Sequence, residues 1–427
     1  MNRLDSDRRR FLGTLGTLGG GLFGALASSW IDERTAHADV AAPLPAPPAK
    51  ATACIVLWMN GGPSHVDTFD PKPGSTSAGP FKAIRTRARG VRICEHLPRV
   101  ADQAHHLALL RGMTSREGNH DRARYLLHTG YAPNPTVTHP ALGGWMSEEL
   151  GPSGDLPTFI SLGGPSETAG FLGAQHGPFI IQSAVEAPQN VARAPGVGPV
   201  RFEKRRSALE KIEAHFAAEV TDTKVDGRRA VYDKAIKMMR APGLGAFDLS
   251  TEPKAILDGY GDTDFGRRCL TARRLVESGV RLVEVMLDGW DTHADNFGRT
   301  TKLMSALDPG MSALIGDLDK RHLLDRTLVI WMGDFGRTPK INANDGRDHH
   351  PGAWTAVLAG GGVRGGVVHG ETDATGDTVA SGKIAVPDLF ATVAKQLGLD
   401  PDKSFDTPSG RPIAISDGGR VLPAIMG

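Results

Sequence analysis

Two strand candidates, residues 281–287 (RLVEVML) and 327–332 (TLVIWM), flank one amphipathic helical stretch, and no other feature limits the fold of this chain so strongly. Between them Asp308 is placed to cap a helix and Pro309 suits its first turn. Met311, Leu314, Ile315 and Leu318 then recur at helical spacing. A strand, a helix and a strand with short joints close as a right-handed crossover between parallel neighbours. Residues 53–59 (ACIVLWM) form a continuous apolar run ending in Asn60-Gly61-Gly62, which reads as a strand buried on both faces. Residues 353–358 and a helix over 388–397, stopped by Gly398, extend the alternation. The expected fold is α/β, a doubly wound and mostly parallel sheet with helices on both faces, over residues 53–427. A helical insertion is expected at about 200–245. Its charge-rich segments, 202–220 and 228–240, place Leu209, Ile212 and Phe216 on one face, expected to lie against the core.

Ahead of this fold the chain reads as an address. Arg8-Arg9-Arg10-Phe11-Leu12 pairs arginines with apolar residues in twin-arginine fashion, a weakly apolar stretch runs from Phe11 to Trp30, and Ala36-His37-Ala38 is a small-x-small cleavage site. Glycines and threonines dilute the stretch, which makes it a poor spanning helix. Residues 1–38 are therefore expected to be a twin-arginine signal, read by the translocase and removed by signal peptidase after Ala38. Residues 39–52 follow as a Pro/Ala-rich extended leader. The expected location is periplasmic or extracellular, with no integral membrane span in the mature chain.

Cleavage there leaves 44 basic against 44 acidic residues. A neutral chain without a basic stripe argues against nucleic acid or an anionic membrane as principal partner. Cys54, Cys94 and Cys269 are odd in number and widely spaced, so they outline neither a disulfide framework nor a thiolate zinc site.

In open parallel sheets, ligands bind beyond the carboxyl ends of the strands. After residues 281–287 comes Asp288-Gly289-Trp290-Asp291-Thr292-His293, and after 327–332 comes Gly333-Asp334-Phe335-Gly336-Arg337-Thr338. A loop later stands Asp345-Gly346-Arg347-Asp348-His349-His350. Carboxylates and imidazoles converging there offer the nitrogen and oxygen donors of a divalent metal site. The competing reading makes Asp291 and Asp334 loop or helix caps and leaves His349 and His350 on a polar surface. Gly360 to Gly365 matches G-x-G-x-x-G, but no helix is expected after it, so it reads as a turn. Neither G-x-S-x-G nor H-E-x-x-H occurs.

These segments, with Met59-Asn60-Gly61-Gly62-Pro63-Ser64-His65 and Asp67-Thr68-Phe69-Asp70-Pro71-Lys72-Pro73, resemble the DUF1501 family of exported bacterial proteins, related to the alkaline phosphatase and sulfatase superfamily. The resemblance implies a metal centre holding zinc, manganese or calcium. Asp334 would be the strand-end ligand, Asp291 and His293 the upstream pair, and His349 or His350 the distal histidine. Asn60 stands where the superfamily has a metal aspartate. Residues 125–133 resemble the sulfatase segment after the nucleophile, which puts Arg124 at its arginine and His120 where that family has a modified cysteine. Phe335 replaces a histidine. The implied activity is hydrolysis of phosphate or sulfate esters in a small or polymeric anionic substrate, with Arg124 or Arg337 neutralising the anion and His120 as the catalytic candidate. The alternative is a non-catalytic binding protein on the same sheet that has lost its nucleophile.

Overall fold

A computed structural model describes residues 51–182, 191, 193–219 and 223–427. The expected signal and nearly all of the leader lie outside these residues. Nine strands form the central sheet: β1 Ala53–Met59, β2 Leu107–Thr114, β3 Phe159–Leu162, β4 Phe179–Ile181, β5 Leu282–Leu287, β6 Thr327–Gly333, β7 Trp354–Ala359, β8 Val367–His369 and β9 Ile384–Ala385. Their order is β8-β2-β7-β6-β1-β5-β3-β4, with β9 beside β2. β1 runs parallel to both neighbours, with Val56 opposite Glu284 of β5 and Ile330 of β6.

The apolar run of β1 is continuous because both of its faces are covered. Ile55, Leu57 and Met59 enter one core with Leu270, Leu275, Met304 and Leu314, supplied by helices Asp264–Glu277 and Asn296–Lys320. Cys54, Val56 and Trp58 enter the other with Leu126, Trp145 and Phe390, from helices α1 His120–Thr129, α2 Leu142–Leu150 and Val386–Gln396. Burying each such side chain contributes about 1.5–3 kcal/mol, so this strand organises the fold.

Three expectations change. The crossover helix begins at Asn296, where the Asp295 carboxylate accepts from Gly298 N at 3.3 Å, and Pro309 lies inside it. The Pro309 ring removes one intrahelical hydrogen bond, yet Met304, Leu307, Met311 and Leu314 are buried on both sides of it and carry the helix through. Asp308 does cap a helix, but a different one: its carboxylate accepts from Val100 N at 2.9 Å and Arg99 N at 3.2 Å, at the start of Pro98–Gln103. Burial raises its carboxyl above the ordinary range.

Second, β7 is antiparallel to both β6 and β2. A parallel return needs a long crossover, usually helical, whereas residues 334–353 return as a loop carrying only a two-residue ribbon, Gly336–Arg337 against His349–His350. Gly360, Gly361 and Gly362, all at positive φ, then turn the chain toward β8, and no helix follows them.

Third, helices occur at Pro199–Glu219 and Thr223–Met238, but Ile212 is 67% exposed. Charges surround the first helix, so it has no wide apolar stripe to bury against the sheet. The side chain of Phe216 lies outside the described residues. Among the described residues, no helix is long and apolar enough to cross a membrane.

Candidate metal centre

The site forms beyond the carboxyl ends of β1, β5 and β6. His120 is the first residue of α1, whose start is capped by the Asn119 side chain accepting from Arg122 N at 3.2 Å. Asp291 and His293 lie on the loop after β5, which Arg299 staples by donating to the carbonyls of Asp291 (2.8 Å) and Gly289 (3.0 Å). Gly61, at φ 106°, lets that loop approach: a Cβ there would fall 2.4 Å from Asp291 N. His349 comes from the ribbon, paired opposite Arg337.

One donor atom each from His120, Asp291 and His349 lies within 4.8 Å of the others. Asp291 Oδ1 is 3.4 Å from both His120 Nε2 and His349 Nε2. Donors about 2.0–2.2 Å from a shared tetrahedral ion stand about 3.3–3.6 Å apart, so this spacing fits one ion. His293 adjoins the trio on its solvent side, with Nε2 3.2 Å from Asp291 Oδ1 and 3.0 Å from His349 Nε2.

Each imidazole is oriented through its other nitrogen. His120 Nδ1 is 2.6 Å from Asp334 Oδ2, His293 Nδ1 is 2.8 Å from Asp348 Oδ1, and His349 Nδ1 is 2.7 Å from the Gly118 carbonyl. Carboxylates and carbonyls accept, so the three Nδ1 atoms carry hydrogens and the neutral rings turn Nε2 lone pairs inward. His120 Nε2 is buried without a hydrogen-bond donor; its 3.4 Å approach to Asp291 brings it to another acceptor. That orphaned nitrogen fits a cation in the space between them.

The electrostatics favour the same charge. Asp291, Asp334 and Asp348 bear on the imidazoles, while Arg337 is bonded to Asp291. Burial opposes ionisation of Asp291, but the hydrogen bond and charge of Arg337, helped by His120 and His293, bring its carboxyl down to about 2. The Asp334 hydrogen bond raises His120, whereas burial lowers His349.

Several expected roles move. Asp334, 1% exposed, acts on His120 and accepts from Gly61 N at 3.0 Å instead of joining the converging donors. Asn60 turns to Asp288, donating to Oδ1 at 2.8 Å, with its own Oδ1 beside Trp58 Nε1. His350 bonds the Asp377 carbonyl at 2.7 Å, since alternate residues of the ribbon point to opposite sides. Arg337 is fully buried, bonded to Asp291 (2.6 Å) and to the carbonyls of Gly61, Gly62 and Arg347, so its guanidinium braces the loops. Arg124 is paired with Glu167 at 2.9 Å.

Two supporting residues had no assigned role. Asp348 orients His293, and its signal was its place directly before the histidine pair. Asp67 forms a two-pronged buried pair with Arg347 at 2.7 and 3.0 Å, anchoring the loop that carries Asp348 and His349.

Fold and site together define an α/β protein with a cluster of histidine and aspartate donors at the carboxyl end of a mostly parallel sheet. The chain belongs to the DUF1501 family, described as a protein of unknown function, which matches residues 51–426. No curated protein matches it. Among solved structures it is similar to the sulfatase PsFucS1 from Pseudoalteromonas sp., at 13% identity, covering 82% of this chain and 68% of that one with a TM-score of 0.38. It is also similar to the lipoteichoic acid synthase LtaP from Listeria monocytogenes, at 10% identity, 86% and 75% coverage and a TM-score of 0.38. Alkaline phosphatase from the Antarctic bacterium TAB5 matches at 13% identity, 82% and 99% coverage and a TM-score of 0.33.

Proposed function

We propose that the protein is an exported metal-dependent hydrolase of phosphate or sulfate esters, with His120, Asp291 and His349 holding the ion and His293 as an adjacent fourth donor. The observation carrying this reading is the inward turn of the Nε2 atoms around one carboxylate oxygen, each ring held through Nδ1. A nitrogen-rich donor set suits zinc or manganese better than calcium, which prefers an all-oxygen shell. A divalent ion there would supply Lewis-acid polarisation of an ester oxygen and acidify a water.

The chain's own residues do the holding. Asp334 and Asp348 fix tautomer and ring direction, and Arg337 keeps Asp291 ionised. Asp291 and His293 have side chains 46% and 47% exposed, leaving the cluster accessible from solvent. Arg124 and Arg337 are already matched by carboxylates, so the ion would meet most of the charge of a substrate anion.

That same neutralisation favours a second reading, a binding protein that retains the donors without turning over an ester. Metal analysis of protein recovered after native export is the first test, followed by aryl phosphates and sulfates offered with zinc, manganese or calcium. The hydrolase reading expects bound metal and turnover lost in His120→Ala with the fold intact. Bound metal without turnover of any ester transfers the site to the binding reading. Replacing Arg8 and Arg9 together by lysine tests export: the precursor should stay in the cytoplasm, because lysine lacks the guanidinium fork, and normal export overturns that part.

A further inference from the structure

Glu284 stands in the middle of β5, opposite Val56 of β1 and Ser161 of β3, and is 1% exposed. A carboxylate at the centre of a sheet persists only if it is bonded there. Its Oε2 accepts from Ser166 Oγ at 2.6 Å and meets His128 Nε2 at 3.1 Å. His128, 7% exposed, belongs to the last turn of α1, with its ring 4.4 Å from that of Trp58. Its Nδ1 is 2.8 Å from the Arg124 carbonyl, which only accepts, so Nδ1 carries a hydrogen. The contact at Nε2 therefore needs one more hydrogen, on the ring or on the carboxyl.

Beside the apolar packing of Leu126 and Leu127, this polar contact holds the helix at a small void. Glu284 and His128 line a cavity of about 30 Å³, otherwise walled by apolar side chains including Val56, Leu127, Phe159 and Leu389. Glu284 Oε1 has no partner. The polar bridge thus borders a small gap between α1 and the sheet. At the other end of α1 is His120, eight residues earlier and roughly 12 Å away along a helix rising 1.5 Å per residue. Asp291 lies on the loop that follows the strand carrying Glu284.

We propose that Glu284 is a positioning residue for the metal centre: through His128 it sets where α1 lies on the sheet, and so where His120 meets Asp291. The proposal rests on His120, Asp291 and His349 being metal ligands. Its effect passes along one rigid helix, pinned to Asp334 at its start and to Glu284 at its end.

The test uses the full mature chain, titrated with cobalt(II) and zinc(II) well below its unfolding temperature, with the metal-free melting temperature measured separately. Glu284→Ala and His128→Ala should each weaken metal binding on the order of 10-fold or more, in the range of supporting-shell substitutions, and alter the cobalt absorption bands. Glu284→Gln, which can still accept from Ser166 and donate to a neutral His128, should restore affinity to within about 3-fold of the parent on the same scale. A merely structural role would lower the melting temperature and leave affinity and spectrum unchanged; that result in both alanine variants overturns the proposal. If Glu284→Ala does not fold, His128→Ala decides, because it keeps the Ser166 bond. A parent protein that binds no cobalt or zinc overturns the ligand assignment itself and the proposal with it.

Discussion

His293 and His349 face each other through their Nε2 atoms at 3.0 Å, each with its Nδ1 hydrogen already committed, to Asp348 and to the Gly118 carbonyl. Two lone pairs and the Asp291 oxygen share one small space. That arrangement is repulsive until a proton or a cation enters it.

The donors should therefore rank. His120→Ala and His349→Ala should lower zinc affinity by more than about 100-fold, and His293→Ala, on the solvent side, by about 10-fold. Calorimetric titration of the three variants measures this. Affinity equal to the parent's in all three would refute the centre, and equal losses in all three would refute the ranking.

Asp334→Asn keeps the shape but can offer His120 Nδ1 an amide N–H, which favours the tautomer with its hydrogen on Nε2. We expect a loss of roughly 10–100-fold in metal affinity, with the melting temperature of the metal-free protein moving much less. If Asp334 were itself a ligand, Asp334→Glu would largely rescue binding; as a ring-orienting residue it should not.

Arg347→Met probes the frame. Asp67 and Arg347 are 1% and 0% exposed, and breaking a buried pair costs about 3–5 kcal/mol. Urea unfolding of the metal-free protein should show that loss, although no ligand has been removed. A change within about 0.5 kcal/mol, as at an ordinary surface site, would mean the pair is dispensable.

Stability should also carry a mark of His128. Burial works against its charge, but the Glu284 carboxylate outweighs burial and raises its pKa. A raised folded value contributes stability that is complete below the unfolded value of about 6.5 and is lost as pH rises through the folded one. Metal-free protein should melt progressively lower as pH rises above about 6.5, and His128→Gln should flatten that slope. An unchanged slope in the variant would assign it elsewhere.

Buried strands were the most legible part of the sequence. β1 and β6 announce themselves as unbroken apolar runs, and β5 as a run broken only by Glu284, because both faces of each are covered. The direction of β7 was hidden, since an apolar run has no polarity and only the loop before it decides. Pro309 misled because proline is common in a first turn, and nothing local reveals that packing carries a helix through it. At the site, Asp291, His293 and His349 were legible as polar residues just beyond strand ends. The neutralisation of Arg124 and the diversion of Asn60 were not, because Glu167 and Asp288 are remote in sequence. Which of His349 and His350 turns inward depends on ribbon register, which their adjacency does not encode.

The first strand of the sheet sits between its fifth and its sixth. β1 finds its partners in β5 and β6, which follow more than 200 residues later. During synthesis it must wait, unpaired and apolar, until most of the chain has left the ribosome, and non-local pairing of this kind is slow and exposed to aggregation. The centre of the sheet therefore closes only after β5 and β6 are made, and the cluster of residues 120, 291 and 349 cannot form before it. A chain truncated before Thr327–Gly333 would lack both the sheet centre and His349, so synthesis past that strand is a precondition for assembling the site.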